Sequence, residues 1–245
     1  MSHDDVVRRN IEALGQDTAL QARSIDWVRD SAAHGYSYNF SWMGRPVIQY
    51  PQDMVAMQEI IWSVQPDLVI ETGIAHGGSL VYYAALLELN AACGGPQAAA
   101  VLGIDIEIRP HNRAAIEAHP LFRRMALIEG SSVDPIVVDA VCRRARQARR
   151  VLVCLDSNHA HAHVLAELEA YAPLVSVGSY CVVFDTIVED LPKNLYPQRP
   201  WGPGDNPRTA VRQYLASHAE FEVDRRIDHK LLISVAPGGY LRRIR

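Results

Sequence analysis

The residues with the clearest chemical potential lie at the ends of short apolar runs. Glu71 closes the first run, in "VIETGIAHGGSL", and three glycines follow it within seven positions. Asp105 closes the second run, and Asp156 and Asp185 close the fourth and fifth. Acidic residues and glycine-rich loops in such places bind nucleotide-like cofactors or metal ions. The chemistry therefore depends on whether these runs are neighbouring strands.

The loop after the first run can be compared with three cofactor-binding loops. A P-loop requires G-x-x-x-x-G-K-[ST], and no lysine follows Gly77 or Gly78. Gly73, Ala75 and Gly78 approximate a dinucleotide fingerprint, but an isolated match of this kind is weak. The carboxylate of Glu71 would repel a pyrophosphate at the start of the next helix, whereas it suits the cationic amino-acid group of S-adenosylmethionine. The loop therefore favours S-adenosylmethionine.

Two further strand ends would complete a nucleoside pocket. Asp105, in "LGIDI", is placed to accept hydrogen bonds from ribose hydroxyls, in nicotinamide and S-adenosylmethionine sites alike. Residues 129–132, "EGSS", offer backbone and hydroxyl partners to an adenine edge. Arg109 follows the ribose-binding strand, where it closes over the cofactor or serves as an ordinary loop residue. Ligands of doubly wound sheets bind at the carboxyl ends of the strands, so we expect one shared crevice.

A candidate general base follows the fourth run, in "LDSNHAHAH". A sugar hydroxyl is a poor nucleophile, so its attack on a sulfonium methyl needs a base or a metal to remove the proton. His159, three residues after Asp156, is predicted to stand at the start of a helix. The positive end of the helix dipole disfavours imidazolium and keeps the ring neutral. The alternative is that His159 only caps the helix. His161 and His163 are predicted to lie further along that helix, on faces that point in other directions, and we assign them no role.

A metal ion is the second candidate for activating a hydroxyl. Asp156 and Asp185 would repel each other at adjacent strand ends unless a cation lies between them. Magnesium prefers hard oxygen ligands and keeps open positions for a sugar diol. The pair therefore predicts a Mg²⁺ site.

The elements that must position these residues follow a strand and helix alternation. Predicted strands cover residues 67–72, 99–106, 124–130, 150–156, 179–186, 220–226 and 230–236. Predicted helices cover residues 51–64, 77–90, 111–119, 134–148, 159–171 and 208–218. Apolar runs without alternation indicate a parallel sheet covered on both faces, while the short turn between the last two strands requires an antiparallel pair. This arrangement predicts an α/β fold, the doubly wound, Rossmann-like, seven-stranded sheet of class I methyltransferases.

Length and composition set the remaining limits. The 245 residues, 49% of them hydrophobic, predict one methyltransferase domain over residues 51–245 and a helical, irregular extension over residues 1–50. A net charge of −4 favours neither nucleic acid nor membrane as a partner. Four cysteines without C-x-x-C spacing, no signal peptide and no long apolar span indicate a cytoplasmic protein.

A proline-rich segment after the fifth strand predicts an irregular lid. Residues 187–207 include five prolines in "LPKNLYPQRPWGPGDNP", too many for a helix or strand. Tyr196 and Trp201 could stack on the apolar face of a deoxysugar or an aglycone. Alternatively, Trp201 anchors the loop to the core.

Five segments together resemble the cephalosporin hydroxylase family: "DLVIETGIAHGGSL", "VLGIDIEIRPHN", "LIEGSS", "LDSNH" and "VGSYCVVFDT". The resemblance covers about residues 45–240. It implies an S-adenosylmethionine-dependent O-methyltransferase that acts on sugars of antibiotic or polyketide glycosides, often with a divalent metal and as a homo-oligomer. The expected cofactor-binding set is Glu71, Gly73, Gly77, Ser79, Asp105, Arg109, Ser131, Ser132 and Asp156.

The sequence departs from the family at one expected metal ligand. Metal-binding relatives carry an acidic pair at the end of the fifth strand, and Phe184 stands where the first acid would be. Glu189, or its neighbour Asp190, could reach back as the missing ligand. The expected metal set is therefore Asp156, Asp185 and Glu189.

The resulting hypothesis is methylation of a hydroxyl on a rhamnose-like deoxysugar of a secondary metabolite, with His159 and Asp156 as catalytic residues. The acceptor would be a small molecule, either a finished glycoside or a nucleotide sugar. The main alternative is a non-catalytic cofactor-binding scaffold for another enzyme, as the family's cephamycin branch suggests. A nicotinamide oxidoreductase ranks third, and an iron oxygenase lower still because the pattern lacks a two-histidine, one-carboxylate site.

Overall fold

The computed structural model describes residues 2–245 and places a helical extension before the sheet. Helices α1 (His3–Gln16) and α2 (Thr18–Ala32) are separate because Asp17 begins the second one, accepting a hydrogen bond from the Leu20 N–H at 2.8 Å. A short antiparallel hairpin, β1 (Phe40–Trp42) and β2 (Arg45–Val47), follows. The predicted helical and irregular extension is thus resolved into two helices and a hairpin.

The main sheet has seven strands, as the apolar runs predicted. They are β3 (Leu68–Thr72), β4 (Ala100–Asp105), β5 (Met125–Glu129), β6 (Val151–Leu155), β7 (Tyr180–Val183), β8 (Phe221–Val223) and β9 (Tyr240–Arg243). Their order is β5-β4-β3-β6-β7-β9-β8, with β3 to β7 parallel and β9 antiparallel to both of its neighbours. Since β3 lies between β4 and β6, the strand ends that carry the candidate residues meet at one edge.

Helices cover both faces of the sheet. They are α3 (Pro51–Val64), α4 (Gly78–Ala92), α5 (Pro110–Glu117), α6 (Pro135–Ala145), α7 (His161–Tyr171), α8 (Pro207–Leu215) and α9 (Arg225–Leu231). Four of them begin with proline, whose fixed φ and missing N–H suit the first turn. Two apolar clusters, one on each face, bury β3 and β6 completely, which explains why these strands read as unbroken apolar runs.

The last predicted strand was placed wrongly, although its antiparallel pairing is confirmed. Residues 230–236 contain the end of α9 and a loop, and the strand is β9. Asp224 caps α9 by accepting from the Arg226 N–H at 3.1 Å, so the connection between β8 and β9 contains a helix in place of the predicted short turn. The apolar run "KLLISVA" packs against the core as a helix end and loop, with Val235 and Ala236 buried. An unbroken apolar run is typical of a buried strand, but here it reflects the burial of a helix end and a loop.

Two other expectations concern the surface and the thiols. Among residues 2–245, every helix is too short or too polar to cross a lipid bilayer. All four cysteines are free: Cys154 and Cys181 are buried in the core, Cys142 is partly buried and Cys93 is exposed.

A buried carboxylate joins α3 to the carboxyl-terminal segment. Asp53 accepts hydrogen bonds from the Ser234 hydroxyl at 2.6 Å, the Val235 N–H at 2.9 Å and the Tyr240 hydroxyl at 2.7 Å. Its side chain is fully buried, and this burial raises its pKa from 3.8 to about 6, although the three donors partly oppose the shift. Protonation of Asp53 therefore favours the folded state.

This linkage predicts how stability changes with pH. A raised folded-state pKa gives stability that is complete below about pH 4 and is lost as the pH rises through about 6. Relative to an Asp53→Asn variant, the wild-type free energy of unfolding should fall by roughly 2–3 kcal/mol between pH 4 and pH 7.5. Urea denaturation of both proteins across this range measures the difference. Parallel curves would contradict the assignment.

Candidate functional site

A cavity of about 600 Å³ opens at the carboxyl ends of the parallel strands. Its floor is formed by the loops after β3, β4, β6 and β7, and includes Gly73, Ser79, Asp105, Arg109, Asp156, His159 and Asp185. A larger groove of about 750 Å³ lies at the opposite edge, among the exposed residues Arg144, Arg149 and Arg150. It contains none of the predicted catalytic or cofactor-binding residues within the described part of the chain. The chemistry is therefore assigned to the smaller cavity.

The glycine loop is shaped by close backbone approaches. Gly73 has φ of 78°, and a Cβ at this position would overlap the carbonyl oxygen of Asp156. Gly77 also has φ of 78°, and Gly78 lies against the Pro46 carbonyl oxygen, which a Cβ would overlap. Only glycine satisfies both the conformation and the space at Gly73. The loop therefore holds β3 directly against the loop that carries the catalytic candidates.

Glu71 lies behind this loop with an incomplete set of partners. The side chain is fully buried, and its Oε2 accepts a hydrogen bond from the Ser79 hydroxyl at 2.9 Å. Its Oε1 has no hydrogen-bond partner among residues 2–245. Burial raises the pKa of Glu71 to about 8; the Ser79 hydrogen bond opposes this shift and Asp105 adds to it. A buried acid with one unpaired oxygen is an acceptor for a ligand that brings a positive charge.

Asp105 organises the loop as well as lining the cavity. Its Oδ2 accepts from the backbone N–H groups of Ile74 at 2.9 Å and Ala75 at 3.3 Å, and its Oδ1 from Glu107 at 3.2 Å. Arg109 lines the same end of the cavity and is exposed. The position agrees with a ribose-binding acid, and the hydrogen bonds add a structural role that the spacing did not reveal.

Asp156, His159 and Asp185 form an acid–histidine cluster at the other end of the cavity. One ligand atom from each lies within 4.8 Å of the others, and His159 Nε2 is 3.1 Å from Asp185 Oδ2. Burial, followed by the nearby Asp185 carboxylate, raises the pKa of Asp156 well above its usual value. Asp185 adopts a left-handed backbone, with φ of 54°. Such a conformation in a non-glycine residue is a strained feature that often marks functional sites.

The environment of His159 differs from the prediction. Helix α7 begins at His161 after the N-cap residue Ala160, so His159 lies just outside the helix. Asn158 accepts a hydrogen bond from the Ala160 N–H at 2.9 Å and thereby forms the turn that separates His159 from the helix. His159 therefore cannot cap α7, and Asp185 is its closest charged neighbour.

Glu189 is not brought into the cluster. Its carboxylate accepts from the Gly204 N–H at 2.8 Å and from the Asn206 side chain, so it holds the lid instead. Phe184 is buried in the core. In place of the expected trio of acids, the structure groups two acids with His159.

Ser131 and Ser132 follow β5, the third parallel strand along the chain, as the sequence predicts. Ser132 is buried, with its hydroxyl 3.1 Å from His163 Nε2 and its carbonyl accepting a hydrogen bond from Tyr171. Among the described residues, those that line the cavity do not include either serine. Both side chains follow β5, which is separated from β6 by the two strands β4 and β3.

The lid and the extension complete the walls. Tyr196 and Trp201 of the lid line the cavity, and the Trp201 ring meets the His159 ring edge-on, with centroids 5.0 Å apart. The extension contributes Tyr38 and Tyr50, and Arg45 binds the His76 carbonyl of the glycine loop through Nε at 2.9 Å. The sequence predicted that Tyr196 and Trp201 belong to a lid, but it gave no signal that assigned Tyr38 and Tyr50 to the site.

The chain is similar in sequence to characterised proteins over most of its length. The protein-family model described as Rhamnosyl O-methyltransferase/CmcI matches residues 34–244. Proteins named rhamnosyl O-methyltransferase from Mycobacterium bovis and Mycobacterium tuberculosis are each 32% identical over 230 residues, covering 90% of this chain and 87% of the relative. The Mycobacterium leprae protein of the same name is 30% identical over 229 residues, covering 90% and 93%.

Solved structures give the same result for the fold. A structure of CmcI described as Mg-SAM superposes with a TM-score of 0.57 at 19% identity, covering 85% of this chain and 78% of that chain. An apo structure of CmcI gives 0.58 at 18% identity, with 85% and 77% covered. These likenesses confirm the doubly wound class I methyltransferase fold.

The contact between Gly73 and Asp156 can be tested with a matched pair of glycines. Gly73 and Gly94 both have positive φ, but nothing lies within 4 Å of a Cβ built on Gly94. Gly94→Ala should cost about 1 kcal/mol of stability from backbone strain alone. Gly73→Ala should cost about 3–5 kcal/mol, because overpacking adds to the strain. Urea denaturation measures both, and equal losses would contradict the close approach.

Proposed function

The chain belongs to the rhamnosyl O-methyltransferase/CmcI family, and from that premise we propose that it transfers a methyl group from S-adenosylmethionine to a sugar hydroxyl. The observation that carries this proposal is a single cavity that joins the glycine loop to the acid–histidine cluster. A methyl donor at the loop would lie beside a group able to take up a proton. This juxtaposition is what O-methyl transfer requires.

The residues around the glycine loop suit the cofactor. Glu71 does not itself line the cavity, but the Ser79 hydroxyl does and donates to this buried carboxylate, so a cationic amino-acid group beside Ser79 would be compensated by the charge of Glu71. Gly73 and Gly77 have positive φ and no side chain, so neither residue projects atoms from the loop toward a ligand. Asp105 and Arg109 would face the ribose and the adenine end. When bound, S-adenosylmethionine supplies the activated methyl group.

His159 is the proposed general base. His159 Nε2 lies 3.1 Å from Asp185 Oδ2, and with the ring proton on Nε2 facing this carboxylate, Nδ1 would be the basic nitrogen. The proton of the sugar hydroxyl would pass to this nitrogen as the oxygen takes up the methyl group, and the methyl–sulfur bond would break to release S-adenosylhomocysteine. The Asp185 carboxylate then stabilises the imidazolium that forms, as acidic partners of catalytic histidines do.

Asp156 and Asp185 would hold a magnesium ion. The cluster places two carboxylates together, and their repulsion is relieved by a divalent cation. Magnesium is commonly bound through one or two carboxylates while retaining several waters, so Phe184 in place of a third acid does not exclude it. The ion would neutralise charge and orient the sugar oxygen. Asp185 has two oxygens and can serve His159 with one and the ion with the other.

The walls of the cavity support a deoxysugar as the acceptor. Tyr38 and Tyr50 of the extension face the same space as Tyr196 and Trp201 of the lid. Aromatic rings pack well against the apolar face and methyl group of a rhamnose-like sugar. The mycobacterial relatives are named for a rhamnosyl acceptor. We propose that the physiological acceptor is a rhamnose-like sugar of a secondary metabolite.

The catalytic role of His159 is tested by His159→Ala in purified protein. Methyl transfer to a panel of rhamnosides, followed by mass spectrometry, should fall by roughly 10²–10⁴-fold because the general base is lost. The dissociation constant of S-adenosylmethionine, measured by calorimetry, should change by less than about threefold, because the general base acts on the sugar hydroxyl and does not hold the cofactor. Cofactor binding without turnover in the wild-type protein over the whole panel would instead support the scaffold alternative.

The metal site is tested by calorimetric titration of Mg²⁺ into the complex with S-adenosylhomocysteine. Asp185→Asn should weaken Mg²⁺ binding at least about tenfold, because it removes one of two charged ligands. Asp190→Asn is the matched control: it lies five residues along and pairs with Arg208 at 2.5 Å. Equal affinities in the wild-type protein and both variants would exclude this ion site.

A further inference from the structure

Helix α7 begins two residues after His159 and has no cap of its own. Its N-cap residue is Ala160, which has no side-chain acceptor. Asp205 supplies the cap from the lid, 44 residues further along the chain: its Oδ1 accepts a hydrogen bond from the His161 N–H at 2.7 Å. The start of α7 is therefore held by a residue from another part of the molecule.

The His161 side chain is held by the helix that follows the lid. Its Nδ1 is 2.7 Å from the Thr209 hydroxyl, and its Nε2 is 2.9 Å from Gln213 Oε1. Thr209 and Gln213 are one turn apart on α8. Both ring nitrogens and the backbone amide of His161 are thus bound by residues 205–213.

The lid reaches His159 directly as well. Gly202 and Asp205 exchange two backbone hydrogen bonds, of 2.9 and 3.0 Å, which close a tight turn immediately after Trp201. We call residues 202–205 the lid turn. Trp201 packs edge-on against His159, and Glu189 fixes the turn through the Gly204 N–H at 2.8 Å. Trp201 and Asp205 are therefore joined by a closed turn and contact the His159 segment at two points.

We propose that Asp205 and His161 are positioning residues for His159, so that the lid turn and α8 set the placement of the general base. The proposal rests on the function proposed above for His159. Asp205 acts through the His161 amide, and Trp201 restricts the imidazole from the side. Tyr196 and Trp201 also line the acceptor end of the cavity. The lid would therefore both contact the sugar and hold the general base in place.

The test compares two substitutions of Asp205 that both remove its charge, only one of which keeps a side-chain hydrogen-bond acceptor. Asp205→Asn keeps a side-chain oxygen that can accept from the His161 N–H, whereas Asp205→Ala removes it. Misplacement of a catalytic group by about 1 Å can cost about 100-fold in rate. Asp205→Ala should lower kcat by about 10- to 100-fold, and Asp205→Asn by less than about threefold. Binding of S-adenosylmethionine should be unchanged in both, because Asp205 does not line the cavity within the described chain.

The control for a general loss of stability is Asp17→Ala. Asp17 also caps a helix, accepting from the Leu20 N–H at 2.8 Å, but it lies at the exposed start of α2. This variant should keep the wild-type kcat. A comparable loss of kcat in Asp17→Ala, or equal losses in Asp205→Asn and Asp205→Ala, would overturn the proposal.

A second readout does not depend on turnover. The Trp201 ring current shifts the His159 ring protons, which are assigned in the NMR spectrum by their absence in His159→Gln. These protons should move toward random-coil shifts in Asp205→Ala and stay in place in Asp205→Asn and Asp17→Ala. If the wild-type protein methylates no sugar, the proposed function fails, while the NMR shifts still decide the positioning role. Unchanged His159 shifts in Asp205→Ala would overturn that role.

Discussion

The site depends on one backbone contact, the approach of Gly73 to the Asp156 carbonyl. A side chain at Gly73 would occupy the space of that oxygen, and the positive φ excludes ordinary residues for a second reason. The Asp156 N–H donates to the Thr72 carbonyl at 3.0 Å, so the two strands remain paired up to the point where their loops diverge. The loop proposed to hold the cofactor and the loop that carries His159 are thereby kept at the same end of one cavity.

Charge is concentrated where this contact brings the loops together. Glu71 is fully buried and Asp156 is close to Asp185, and burial raises the pKa of both Glu71 and Asp156. Burying acids in this way opposes ionisation unless cations compensate them. A sulfonium amino acid near Glu71 and a divalent ion near Asp156 would each supply such compensation. The electrostatics of these buried acids and the proposed chemistry thus have the same physical basis.

The sequence predicted the parts of the site that follow from strand ends, and missed those that depend on tertiary packing. Apolar runs ending in Glu71, Asp105, Asp156 and Asp185 defined the sheet, because a parallel strand buried on both faces has a distinctive pattern. The last strand was misplaced because the run at residues 230–236 is apolar for burial in a loop. The spacing of apolar residues along the chain could not distinguish a strand from a loop that is buried by tertiary packing.

The same distinction holds for individual side chains. Glu189 was expected at the metal on the basis of proximity along the chain, but Gly204 and Asn206 bind it first. His161 received no role because its partners, Thr209 and Gln213, lie about 50 residues away.

The most direct test of the proposed site is a crystal structure with S-adenosylhomocysteine and a rhamnoside. It should show the sulfur over the glycine loop and a sugar hydroxyl within hydrogen-bonding distance of His159, whereas ligand in the groove beside Arg149 would contradict it.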